Sequence, residues 1–159
     1  MKPGIVVTGL CVPLFAVTAL SQPAAKDLLE AALAEGSLTT FVDLVKTSPS
    51  VKSALTGPGP LTVFAPTDSA FAKLAAGRLD ALKSSEDERE SALLSHCAGG
   101  ALLSSQLLQA KSVSSLWSRE FPVTSAGKAL RIGGANVVKA EIKARNGVLY
   151  VIDSVLPAE

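Results

Sequence analysis

Hydrophobic positions recur at helical spacing over the first half of the chain and at alternate or continuous positions over the second. Ala25, Leu28, Leu29, Ala32 and Leu33 mark one helix, which Gly36 closes because glycine accepts positive φ without strain. Phe41, Leu44 and Val45 lie on one face of a second helix, with Thr40 and Asp43 as a cap pair and Pro49 as its end. The two prolines and two glycines within residues 56–60 remove donors and release backbone angles, so that segment is a loop. Residues 61–65 then form a short apolar strand. At Pro66 the ladder loses a donor, and Thr67 or Asp68 can accept from the free N–H groups of a helix whose apolar face is Ala70, Phe71 and Leu74. Residues 84–88 set hydroxyls at a cap and acidic side chains in a first turn, where the helix dipole favours them. That helix runs to about Ser95, with the charges of 86–90 as its solvated face.

From Lys111 onward the period shifts towards two. Residues 113–117, 121–124, 129–132, 135–142 and 148–155 are the expected strands. Gly133-Gly134 closes a tight hairpin, Ala126-Gly127-Lys128 a second, and Asn146-Gly147 a third turn. Val148 to Ile152 is almost wholly apolar, as in a central strand covered on both faces and paired with sequence-distant elements. Helices gathered before strands argue for segregated α+β rather than alternating βαβ units.

Composition changes this picture at the N-terminus. The chain is 48% hydrophobic and 18% charged, but residues 1–21 hold a single charge, Lys2, then an apolar run and small residues at Ala19 and Ser21. That is the pattern of a secretory signal cleaved after Ser21, leaving one domain over residues 22–159. The run is shorter than a spanning helix needs and contains Pro13; an uncleaved N-terminal tether is the alternative. Without Lys2, the 15 basic side chains fall to 14, equal to the 14 acidic ones. A neutral chain has no electrostatic footprint for nucleic acid and no basic helix for anionic lipid. Loss of Cys11 leaves Cys97 alone, so no intramolecular disulfide forms; Cys97 is a buried small hydrophobe or a thiol that pairs between molecules.

Candidate chemistry is sparse. His96 is the one histidine. An enzyme reading would join it to a serine and to Asp68 or Asp153, but no Gly-x-Ser-x-Gly elbow occurs. The competing role for His96 is structural, an imidazole tying a helix end to the sheet. His96 and Cys97 are adjacent and point apart on either a helix or a strand, so they make no dyad. One cysteine and one histidine in the mature chain fall short of a zinc site, and no cofactor motif is present. Trp117, the single tryptophan, is assigned to core packing, with an interface anchor beside Arg119 as the alternative.

Three segments carry a family resemblance. Thr62-Val63-Phe64-Ala65-Pro66-Thr67-Asp68-Ser69-Ala70-Phe71, Leu93-Leu94-Ser95-His96-Cys97-Ala98-Gly99-Gly100 and the stretch from Asn146 to Pro157 stand in the order of the signature boxes of the fasciclin domain. The last two also show departures: Ser95 stands where the family usually has tyrosine, and Tyr150 where it often has histidine. The chain resembles that family over residues 27–157. The resemblance implies an α+β fold, a β-sandwich or wedge of about seven strands flanked by N-terminal helices. It implies a secreted or surface-held module, extracellular or periplasmic, that binds a cell-surface, matrix or polysaccharide component without catalysis. The structural signature would comprise Thr62, Phe64, Pro66, Thr67, Asp68, Phe71, His96, Gly147, Tyr150, Val151 and Asp153. Glu141 and Ile142, where animal members often carry an Asp-Ile pair, and His96 would be candidate partner contacts. The alternative from another class is a small hydrolase or ligand-binding enzyme using His96.

Overall fold

The computed structural model describes residues 26–75, 77–127 and 129–156. The expected export segment, residues 1–21, and Pro157 of the last box lie outside them. Three helices open the described chain: α1 (Leu28–Glu35), α2 (Thr39–Lys46) and α3 (Pro49–Thr56). Strand β1 (Leu61–Pro66) leads into α4 (Asp68–Ala72), α5 (Arg78–Ser84) and α6 (Glu86–Ser95), then β2 (Cys97–Gly99) and α7 (Ser104–Ala110). Five strands complete it: β3 (Ser112–Ser114), β4 (Glu120–Ala126), β5 (Ala129–Ile132), β6 (Ala135–Ala144) and β7 (Gly147–Ile152).

The strands form one sheet in the order β2-β1-β7-β6-β5-β4-β3, parallel only between β1 and β7. The sheet curls until its ends meet. Ala98 bridges Ser115, and the Leu116 N–H donates to the Cys97 carbonyl at 2.7 Å. Near-closure covers edges that would otherwise offer free backbone groups to another chain.

Alternation along β1 and β7 divides the core. Val63, Ala65, Leu149 and Val151 face the helices and pack with Phe41, Val45, Leu55, Leu93 and Cys97. Phe64, Tyr150 and Ile152 face into the curl, among Leu107, Val113, Phe121 and Ile132. The Phe64 and Tyr150 rings stand 5.6 Å apart. Full burial of a large apolar side chain stabilises by roughly 1.5–3 kcal/mol, so β7, with five consecutive buried residues after Gly147, is the centre of the structure. Its apolar run was legible as a strand covered twice. Gly147 is required there: a Cβ on it would sit 1.8 Å from the Leu61 carbonyl oxygen of the parallel partner.

Several expectations are corrected. The Thr40–Asp43 cap pair does not form; α2 begins at Thr39, and the Thr40 N–H is given to Asp68 of the distant α4 at 2.7 Å. Pro49 does more than stop α2, since it is the first residue of α3, where its missing N–H has no partner to lose. Helices α3, α5 and α7 and strand β2 were not anticipated. Leu33 lies 48% exposed, and Trp117 is 47% exposed in the turn between β3 and β4, not in the core.

Candidate functional site

Several polar residues of the signature boxes accept backbone N–H groups from segments far away in sequence. Thr67 caps α4 locally through Ala70. Asp68, in the first turn of α4, reaches across to α2, where Oδ1 accepts the Thr40 N–H and Oδ2 the Thr39 hydroxyl at 2.5 Å. Burial alone would raise its pKa, but these bonds outweigh it and hold the carboxyl below its usual range. Thr62 is wholly buried, donating to the Gly100 carbonyl (2.6 Å) and accepting the Leu102 N–H (2.8 Å). Asp153 accepts the Asn136 N–H and side-chain amide, each at 3.0 Å; the side-chain bond is the leading reason its pKa is lowered.

His96 ends α6 and is 2% exposed. Its Nε2 accepts the Leu156 N–H at 2.9 Å, so the ring proton sits on Nδ1 and is donated to the Ala92 carbonyl at 2.7 Å. Burial lowers its pKa to about 4, against a small opposing effect of the Ala92 bond. Both ring nitrogens are therefore held by backbone. Neither faces a surface partner, and neither Asp68 nor Asp153 hydrogen-bonds to the ring. His96 thus ties the end of α6 to the backbone at Leu156. Cys97 beside it is fully buried, and burial pushes its thiol up to about 12, leaving it far from a reactive thiolate. Among the described residues no group of three or more His, Cys, Asp or Glu could hold a metal ion.

One buried tie escaped sequence reasoning. Asn146, 4% exposed, accepts the Leu28 N–H at 3.0 Å and donates to the Leu55 and Gly57 carbonyls at 2.7 and 2.8 Å. It thus joins the start of α1, the end of α3 and the turn before β7. Its place in a turn was visible; its inward side chain was not. Tyr150, also in the last box, donates its hydroxyl to the Leu102 carbonyl at 2.8 Å, and burial first, then the Glu141 charge, raises its pKa.

Glu141 and Ile142 occupy an irregularity in β6, where pairing with β7 slips between Lys139 and Ile142. Glu141 takes φ 54°, a left-handed conformation unusual for a non-glycine residue. Ile142 turns inward and packs against the helix-facing core. Glu141 turns towards α7, where Oε1 accepts the Ser104 N–H at 2.9 Å and the Ser104 hydroxyl. The Ser104 hydroxyl bond is the leading cause of its lowered pKa. Its Oε2 takes no hydrogen bond among the described residues. Lys143 near the end of β6 and Arg145 in the turn after it line an open groove of about 290 Å3 with Pro58, Pro60 and Leu103. The region joins a fixed carboxylate, two cations and a ridge of apolar side chains.

The model of the fasciclin domain matches residues 36–158. The protein sll1483 of Synechocystis is 32% identical over 142 residues, covering 88% of this chain and 78% of that protein. The immunogenic protein MPB70 of Mycobacterium bovis is 36% identical over 128 residues, covering 80% of this chain and 61% of that one. The solved pair of such domains from the insect cell adhesion molecule fasciclin I superposes with a TM-score of 0.60 at 19% identity, over 77% of this chain and 46% of that one.

Proposed function

Because the chain belongs to the fasciclin domain family, we propose that it is an exported, non-catalytic binding module acting in cell adhesion or in contact with a matrix or host surface. Residues 1–21 direct export and are removed, and residues 22–159 act as one domain outside the cytoplasm. The adhesion role is carried over from the insect relative, a cell adhesion molecule. A catalytic reading has no observation in its favour, since His96 offers no free nitrogen.

The observation that supports a particular binding face is Glu141. A non-glycine residue in the left-handed region carries a strain of order 1–3 kcal/mol that persists only where surroundings impose it, and here Ser104 fixes the carboxylate at the protein surface. The proposed contact face is Glu141 with Lys143 and Arg145 along the groove, while Ile142 beneath it positions the bulge. The partner is a cell-surface, matrix or polysaccharide component bearing both charged and apolar groups.

The test is binding of the purified protein to intact cells, extracted surface polysaccharide and immobilised matrix proteins. Glu141→Gln keeps an oxygen for Ser104 but removes the charge; Lys143→Glu with Arg145→Glu reverses the groove. Saturable binding that both variants weaken about tenfold or more, with melting temperatures kept, supports the reading. Absence of binding to every surface, or equal binding by the variants, overturns it.

A further inference from the structure

The turn between β3 and β4 leaves apolar surface uncovered. Leu116 and Trp117 are 42% and 47% exposed, yet their backbone is held on both sides. The Ser115 N–H donates to the Arg119 carbonyl at 2.7 Å, the Arg119 N–H to the Ser115 hydroxyl at 3.2 Å, and the Leu116 N–H to Cys97. Trp117 is thus presented on a built turn that closes the sheet.

The indole lies along a cleft of about 450 Å3 whose other walls are Asp87, Glu88, Glu90 and Ser91 of α6. No ion pair or side-chain hydrogen bond engages those three carboxylates among the described residues. The one basic side chain within that stretch of α6 is turned away. Arg89 is 8% exposed and donates to the Ser48 hydroxyl and to the Leu82, Lys83 and Thr47 carbonyls. The cleft therefore pairs an aromatic face with three carboxylates that no side chain among the described residues pairs, the α6 N-terminus being the one positive end beside them.

We propose that this cleft docks a basic segment of a partner protein, one Arg or Lys lying on the Trp117 ring with its charge among the three carboxylates. A cation over an indole is attracted by the ring quadrupole and also meets opposite charge here, and an exposed tryptophan is a favoured anchor of interfaces. A sugar could stack on the same ring. Ionised carboxylates, however, only accept hydrogen bonds, and three of one sign with no facing donors suit a cation better than a neutral hydroxyl array. The cleft shares no residue with the Glu141 groove, so the two readings stand or fall separately.

Trp117 is the single tryptophan, so its emission reports this cleft alone. The purified protein is titrated with a peptide of alternating arginine and serine, with its glutamate–serine counterpart, and with a neutral oligosaccharide, cellohexaose. The expected result is a saturable emission change with the arginine peptide only, weakening about tenfold as salt rises to about 0.3 M. The triple variant Asp87→Asn, Glu88→Gln, Glu90→Gln should lose a further factor of about ten. So should Trp117→Leu, followed through the anisotropy of a labelled peptide. No saturable response to the arginine peptide, equal response to the glutamate peptide, or response to cellohexaose alone overturns the proposal; so does unchanged affinity in a natively folded triple variant. The contrast between the two peptides on the unaltered protein decides the charge requirement even if a variant misfolds.

Discussion

His96, the one histidine of the chain, is buried, and this makes protein stability depend on pH. Its ordinary pKa of 6.5 falls to about 4 in the folded protein because the buried ring cannot take up charge. Between those values the unfolded chain binds a proton that the folded chain refuses. Stability therefore falls as pH falls, by up to about 1.4 kcal/mol per unit and about 3 kcal/mol across the window. For a domain of this size that corresponds to a drop of about 10 °C in melting temperature. Asp68, Asp153 and Glu141 act lower down: their folded pKa values are depressed, so their stabilisation is complete above the unfolded carboxylate range and is lost as pH falls from there through the folded values. Thermal unfolding followed by far-ultraviolet circular dichroism, stepped between about pH 7 and 5, above most of the carboxylate range, follows the histidine. His96→Gln should start lower in stability and show a nearly flat profile over the same range. A flat profile in the unaltered protein, or an equal slope in the variant, would refute the buried neutral imidazole.

Asn146→Ala leaves the Leu28 N–H and the Leu55 and Gly57 carbonyls without their side-chain partner. The expected loss is about 3 kcal/mol, or about 10 °C in melting temperature, and a change within about 2 °C would mean that water replaces the amide. Asn146→Asp, which keeps the acceptor for Leu28 but turns a carboxylate oxygen on two carbonyls, should be no better. Asp68→Ala should lower stability by about 1 kcal/mol through the uncapped start of α2; unchanged melting with lost surface binding would move Asp68 from scaffold to contact.

How much was legible follows from where each element draws its support. Elements with local signals were readable: Gly36 at φ 71° ending α1, Ser85 capping α6, Gly133-Gly134 closing β5 on β6, and the apolar run of β7. Elements supported from a distance were not. Helix α7 follows Leu103, which has no capping side chain, and its first N–H is met by Glu141 from β6. Helix α5 starts after Gly77 with no side-chain cap, and α3 starts at a proline that reads equally well as a stop. Strand β2 is three residues long and continues the apolar run of α6, so periodicity could not separate them. The site was half legible. Glu141 and Ile142 stood out by resemblance, but that one faces α7 and the other the core depends on a bulge that no spacing rule announces. Trp117 was misplaced because hydrophobicity argues for burial, while its position in a turn exposes it.

Asn146, Asp68, Thr62, Glu141 and His96 each hold a backbone N–H from a distant part of the chain. Amide hydrogen exchange in the folded protein, read residue by residue by NMR, tests this most directly. The N–H groups of Leu28, Thr40, Leu102, Ser104 and Leu156 have no helical or ladder partner; each is accepted by Asn146, Asp68, Thr62, Glu141 or His96. All five should be protected well above exposed turn amides, and Asp68→Asn should lower protection at Thr40 while sparing Ser104. Exchange at all five as fast as in exposed turns would contradict the network and the division between scaffold and contact face.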